Sequence, residues 1–264
     1  MIKIEKLNIG YEENVLENIN LEIDKAKITF IIGKNGSGKS TLGNTISGLK
    51  KFKDGIIILD NINLKKEKDL KKIRKKIGMV FQNPSNQILF PRVYDDIKFT
   101  LENMKTPKDE IDNIIKEALE KVDMLEYINS NPNNLSGGEK QRIAIASILA
   151  LKPDYIIFDE ATSMLDINGK EDIYKLLIKL KKDGLGIVFI TNIIDELIYA
   201  DEIIILNNKN ANKYTKKEIF NNMNLLKDNN LDIPFTLKII EILKKKNIIA
   251  YNKKEILKEI EKLW

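Results

Sequence analysis

The sequence predicts an α/β protein with a largely parallel core sheet. Three observations carry that expectation. The runs Ile28–Ile32, Tyr155–Phe158 and Ile187–Ile190 are apolar but for Thr29, as strands covered on both faces are. Helical patterns alternate with the later strands, which is the pattern of a parallel sheet. The first run also leads into Gly33-Lys34-Asn35-Gly36-Ser37-Gly38-Lys39-Ser40-Thr41, a complete G-x-x-x-x-G-K-[ST] phosphate loop, with a helical run from Ser40 to Leu49 behind it.

The elements follow in order. Ile2, Ile4, Leu7 and Ile9, then Ile19, Leu21 and Ile23, predict an N-terminal antiparallel β region ahead of the loop. Ile56–Leu59, Gly78–Phe81, Tyr155–Phe158, Ile187–Ile190 and Glu202–Leu206 read as strands. The stretch from about Ile88 to Leu149 is instead mostly helical, with Ile111, Ile114, Ile115, Ala118, Leu119 and Val122 at helix spacing. Past Asn207 the chain turns rich in Asn and Lys, then reads Leu231-Asp232-Ile233-Pro234-Phe235. Two amphipathic helices are expected after it, roughly Thr236 to Lys246 and Lys253 to Leu263. The organisation predicted is one nucleotide-binding domain over 1–210, with a helical insertion at about 88–150, and a small, mostly helical element over 211–264.

Bulk properties narrow the function. The 264 residues are 43% hydrophobic, enough for one large domain with a real core. The net charge of +5 is modest. Its basic runs, Lys50–Lys53, Lys65–Lys76 and Lys244–Lys246, are largely interspersed with acids and read as solvated faces, so no nucleic acid partner is expected. Cysteine and histidine are both absent, which removes disulfides, thiolate and imidazole metal sites and histidine general bases. No apolar run approaches the ~18 residues of a membrane span. The start, Met1-Ile2-Lys3-Ile4-Glu5, alternates like a strand and lacks a signal-peptide core. A cytosolic chain is expected, reaching a membrane only through a partner.

The chemistry begins at the loop. Gly33, Gly36 and Gly38 let the backbone turn tightly and aim successive N–H groups inward, and the next helix adds its positive end. Lys39 can reach β- and γ-phosphates, and Ser40 can ligate Mg²⁺. Asp159 and Glu160 end an apolar strand, which places both carboxylates at the carboxyl edge of the sheet beside the loop. Asp159 would hold Mg²⁺ and Glu160 would act as general base toward water. Leu135-Ser136-Gly137-Gly138-Glu139 contains S-x-x-E, a capping box opening a helix to Leu149, and a capped start with two glycines is itself suited to an anion.

The loop, then Leu135-Ser136-Gly137-Gly138-Glu139-Lys140-Gln141-Arg142, then Tyr155-Ile156-Ile157-Phe158-Asp159-Glu160, resemble in that order the ATPase subunit of an ATP-binding cassette (ABC) transporter. The resemblance implies a P-loop ABC ATPase fold with an inserted helical subdomain, ATP with Mg²⁺, and a dimer that sandwiches ATP between two chains. It implies that Ser136, Gly137 and Gly138 act in trans on the γ-phosphate of the facing chain. Gln82 matches the Q-loop residue that senses Mg²⁺ and the attacking water. Tyr11 matches the aromatic that stacks on adenine, and Asp166 the D-loop aspartate that reaches across the dimer. Without the resemblance, Gln82 and Asp166 would read as turn residues and Tyr11 as a core tyrosine. One position departs: after Ile187–Ile190 the family has Thr-His, and this chain has Thr191-Asn192. Asn192 can donate an amide hydrogen bond but cannot become cationic. The expectation is an own site that binds ATP and hydrolyses it slowly, paired with a non-identical ATPase.

Phe81-Gln82-Asn83-Pro84-Ser85-Asn86-Gln87, Val93-Tyr94-Asp95-Asp96-Ile97-Lys98-Phe99, Phe158 to Asp166 and Leu231-Asp232-Ile233-Pro234-Phe235 resemble the energy-coupling factor (ECF) branch, which includes cobalt- and vitamin-importer subunits. That implies a heterodimer of ATPases on a transmembrane coupling protein, with a separate membrane protein capturing the substrate. It places the chain peripherally on the cytoplasmic face of the cell membrane. Asp95 and Asp96 either dock arginines of the membrane partner or simply favour a helix N-terminus. Two other readings remain: a soluble ABC ATPase acting on nucleic acid or ribosomes, and a non-hydrolysing regulatory ATP-binding subunit. One cassette without sustained heptads weighs against the first, and retention of Glu160, Gln82 and Asp166 against the second. The cargo is not encoded in this chain.

Overall fold

The computed structural model describes residues 1–10, 12–245, 255 and 257–259. Two sheets form its frame. Strands β1 (Ile2–Gly10) and β2 (Asn14–Ile23) pair antiparallel, with Ile2 opposite Ile23 and Ile4 opposite Leu21. Next comes β3 (Ile28–Gly33), buried along its whole length, and then α1 (Lys39–Ile46). Helix α1 stops short of the expected Leu49, because Gly48 takes φ +72° and turns the chain away. Strand β4 (Asp54–Leu59) returns to the first sheet beside β1, and β5 (Ile62–Asn63) adds a short edge. After α2 (Glu67–Lys76) comes β6 (Ile77–Val80), which enters the second sheet.

The helical insertion holds α3 (Val93–Asn103), α4 (Lys108–Lys121) and α5 (Gly137–Leu149). The chain then re-enters the sheet as β7 (Tyr155–Asp159), passes through α6 (Ile167–Lys182), and continues as β8 (Gly186–Ile190) and β9 (Glu202–Asn207). The order β10-β9-β3-β8-β7-β6 is parallel from β9 to β6, with β10 (Asn210–Thr215) antiparallel at the edge. Alternate residues sort to two cores, as the two-residue period of a strand requires. Phe30, Ile32, Phe158, Ile187 and Phe189 belong to the core shared with the insertion and with α6, whose Tyr174 ring lies 5.5 Å from that of Phe189, while Ile31, Ile157, Val188 and Ile190 face α1 and the first sheet. Phe189 is stacked between Phe30 and Phe158, with ring centroids 5.1 and 5.6 Å away, and this locks three parallel strands in register.

Two strands escaped the sequence reading, and both follow the same device. Asp60 and Asn61 before β5, and Asn208 and Lys209 before β10, all take positive φ, as a two-residue hairpin turn needs. The sheet therefore runs past residue 210, where the boundary was expected, and the Asn-rich stretch is an edge strand. Beyond it lie α7 (Lys216–Asn221), α8 (Asn224–Asp228) and α9 (Phe235–Lys245). Ile219, Phe220, Leu226, Leu237, Ile240 and Leu243 join the core on the helical face, so this part is not packed as a separate body. The expected helix over Lys253 to Leu263 lies largely outside the described residues.

Candidate active site

The parallel sheet brings three loops to one edge: the turn after β3, the end of β7 and the residue past β8. Between β3 and α1 the loop closes on itself, with Ser37 N–H donating to the Lys34 carbonyl at 3.1 Å. Gly36 and Gly38 take φ +80° and +97°, backbone that side-chain-bearing residues rarely adopt, and a Cβ on Gly36 would project into open space. Lys39 is buried and its Nζ donates to the carbonyls of Gly33 and Lys34 at 2.9 and 3.0 Å. Burial pulls the Lys39 ammonium below its ordinary range, against the opposing charges of Glu160 and Asp159.

Ser40 lies in the first turn of α1 and its hydroxyl donates to Asp159 Oδ1 at 2.9 Å. Burial pushes the Asp159 carboxyl up, and Glu160 adds to this, while the Ser40 hydroxyl and Lys39 pull it down. Glu160 follows with φ +52°, a strained choice for a residue with a side chain. Its backbone is held from both sides. Its N–H donates to the Ile190 carbonyl at 2.9 Å, and its carbonyl accepts from Ser163 N–H at 3.0 Å and Ser163 Oγ at 2.8 Å. Across the edge, Asn192 Nδ2 donates to Glu160 Oε1 at 2.5 Å. Gln82 is placed on the same side, with Nε2 donating to Ser163 Oγ at 3.1 Å.

An open cleft of about 540 Å³ lies at this edge, lined by Asn35, Gly36, Gly38, Lys39, Ser40, Thr41, Glu160, Asn192 and Val15, while Asp159 and Gln82 do not line it. That volume suits a small-molecule ligand. The donor set fits a Mg²⁺ ion that is shared with phosphates. A hydroxyl and a carboxylate already converge, and among the described residues no larger cluster of ligating side chains exists that would cage a metal by protein alone. Ser37 Oγ is buried without a hydrogen-bond partner inside the loop, a polar atom that a bound anion would satisfy.

The remaining predicted residues lie elsewhere. Ser136 caps α5 in a complete capping box, accepting from Glu139 N–H at 3.3 Å while Glu139 Oε2 accepts from Ser136 N–H at 2.7 Å. Ser136, Gly137 and Gly138 do not line the cleft, and a Cβ on Gly138 would meet nothing within 4 Å. Asp166 caps α6 through Gly169 N–H at 2.7 Å. Tyr11 lies outside the described residues. Of the two acids proposed for docking, Asp96 is buried and accepts from Leu89 and Phe90 N–H at 2.8 and 3.4 Å, so it serves its own chain; Asp95 pairs with Arg92 at 2.8 Å.

The ABC transporter family model matches residues 16–163. The energy-coupling factor transporter ATP-binding protein EcfA1 of Mesomycoplasma hyopneumoniae strain 7448 is 44% identical over 269 residues, spanning 100% of this chain and 98% of its own. That of Fusobacterium nucleatum is 42% identical, over 94% of this chain and 92% of its own. Among solved structures, cbiO1 from Clostridium perfringens, part of the ABC transporter complex cbiONQ, matches with a TM-score of 0.78 and 35% identity over 91% of this chain and 98% of its own.

The chain belongs to the ECF branch of the ABC transporter ATPases.

A further cassette, MJ0796, matches at a TM-score of 0.71 and 33% identity over 81% of this chain and 98% of its own, and was solved as a dimer in a post-hydrolysis state with ADP and Pi. In this ECF-type ATPase the sequence reading overlooked Val15, Ser163, Thr162 and Glu196. Ser163 and Thr162 sit within the segment quoted for the resemblance. The signal for Glu196 was the acidic pair Asp195-Glu196 set between Ile193-Ile194 and Leu197-Ile198. Among the described residues, no helix is long and apolar enough to cross a membrane.

Proposed function

We propose that this chain is the ATP-hydrolysing subunit of an ECF-type importer that powers uptake of a micronutrient, a vitamin or a transition metal ion. The observation that carries the reading is the convergence of Lys39, Ser40, Glu160 and Asn192 on one cleft, with Asp159 bonded to Ser40. The loop N–H groups from Gly33 to Thr41 and the start of α1 bind the phosphates, and Lys39 exchanges its two backbone carbonyls for phosphate oxygens. Ser40, Asp159 and Gln82 would hold Mg²⁺, which supplies neutralisation of phosphate charge. Glu160 takes a proton from the attacking water. Tyr11 is assigned to adenine on the resemblance alone.

Asn192 already commits one amide hydrogen to Glu160, and it replaces a histidine that the family directs at the γ-phosphate. Loss of one preorganised donor lowers turnover on the order of 10²–10³-fold. This chain's own site is therefore the slow one, and its partner is a second, non-identical ABC ATPase. Ser136, Gly137, Gly138 and Asp166 complete the partner's site. The pair rests on the cytoplasmic face of the membrane, on a transmembrane coupling protein joined by a substrate-capture protein, and binds no nucleic acid.

Purification from detergent-solubilised membranes should recover the second ATPase and both membrane components, and the complex should release phosphate from ATP. Gly138→Asp should abolish turnover at the partner's site, while the Kd for ATP at this chain's own loop stays unchanged. Recovery of ribosomes or nucleic acid in place of membrane proteins, or full turnover with Gly138→Asp, would refute the reading.

A further inference from the structure

Glu196 lies in Ile193-Ile194-Asp195-Glu196-Leu197-Ile198, where its neighbours diverge. Asp195 Oδ1 accepts from Phe235 N–H at 2.7 Å, whereas Glu196 turns inward and is 5% exposed. Its Oε1 accepts from Thr162 Oγ1 at 2.9 Å and its Oε2 from Thr191 Oγ1 at 2.7 Å. Both threonines are buried. Lys170 Nζ stands 3.7 Å from Oε1. Burial, and then the Glu196 charge, raise the Tyr174 hydroxyl well above its ordinary value.

The partners are distributed in a telling way. Thr162 is two residues past Glu160, and Thr191 is the residue before Asn192. Lys170 starts the second turn of α6 with its N–H on the Asp166 carbonyl at 3.0 Å. Glu196 itself does not line the cleft. One buried carboxylate thus joins the segments that carry Glu160, Asn192 and Asp166. Among the described residues the one ammonium paired with this charge is that of Lys170, and a buried charge so sparsely paired is a poor way to add stability, since apolar side chains of similar volume would hold the fold as well. What a carboxylate adds is two directional bonds to two different loops.

We propose that Glu196 is a positioning residue for ATP hydrolysis, clamping Thr162 and Thr191 so that Glu160 and Asn192 stay in register across the cleft. This rests on the roles given above to Glu160 and Asn192. Glu160 holds a strained backbone that its surroundings must over-determine, and the clamp begins two residues away.

The assembled transporter, with the partner's own site inactivated so that only this cleft is counted, tests this with Mg-ATP turnover and the Kd for Mg-ATP measured side by side. Glu196→Gln and Thr162→Val should each lower kcat by roughly 10- to 100-fold, the effect of misplacing a reacting group by about an ångström, with Kd unchanged because the phosphate loop is untouched. Lys170→Met should lower kcat in the same direction, and Lys170→Arg should restore it, which packing alone would not produce. If Glu196→Gln does not fold, Thr162→Val and the Lys170 pair carry the same outcomes. Unchanged kcat, or a Kd that rises in step with the loss, overturns the proposal. Failure of the underlying reading looks different: Glu160→Gln would then turn over ATP like the wild type.

Discussion

Asn192→His is the perturbation that reads the site most directly. The Asn192 amide has two hydrogens, and one is spent on Glu160 Oε1 at 2.5 Å. A bond of this charge-assisted kind is worth ~1.5–3 kcal/mol when well shielded, and less here because Asn192 is exposed. A histidine offers an N–H at longer reach and can carry a proton. A restored donor at developing charge is worth about 2.7–4 kcal/mol, or 10²–10³ in rate. The amide already supplies part of that, so an increase in kcat near the lower end, about 10²-fold, is expected. The Kd for Mg-ATP should not change, because Lys39 and the loop are untouched. The assay is phosphate release by the assembled pair with the partner's own site inactivated, so that only this cleft is counted. A kcat that stays level or falls would show that asparagine is fully competent, and the argument for a slow site and an unequal pair would be lost.

Three further outcomes are expected. Lys216 is pushed down from 10.5 to about 8, chiefly by burial, and its Nζ donates to the Ile198 carbonyl. Between those values the unfolded chain holds the proton and the folded one does not, so stability rises with pH through that window; relative to Lys216→Met the wild type should gain at most about 3 kcal/mol from pH 7 to 10.5, and parallel melting curves would refute this. Gly186→Ala puts a Cβ 2.3 Å from the ring of buried Tyr155, whose hydroxyl is tied to the Ile23 carbonyl at 3.0 Å; a loss of about 1–3 kcal/mol by urea titration is expected, and no loss would show that the ring yields. Asp96→Ala leaves the N–H groups of Leu89 and Phe90 without their acceptor and should cost about 1–3 kcal/mol, whereas Asp95→Ala should cost under about 0.5 kcal/mol in the same melts.

The phosphate loop, the capping box at Ser136 and the apolar strands were legible in the sequence because each is a local rule. Glycines at fixed offsets, S-x-x-E and uniform burial act over a few neighbouring residues. Strands β5 and β10 were not legible, since their turns use Asp-Asn and Asn-Lys where glycine is the usual signal. Asp96 read as a candidate docking acid because its partners are backbone groups, which no sequence pattern displays.

By itself, the sequence displayed a complete phosphate-loop motif, two acids ending an apolar strand, and Asn192 at the position where the resemblance implies a histidine. Only the tertiary structure decided that Ser40 meets Asp159, that Asn192 bonds Glu160, and that Glu196 joins Thr162 to Thr191. The physical reason is chain separation. Ser40 and Asp159 stand 119 residues apart, and β3, β7 and β8 must lie parallel in one sheet before their ends share an edge.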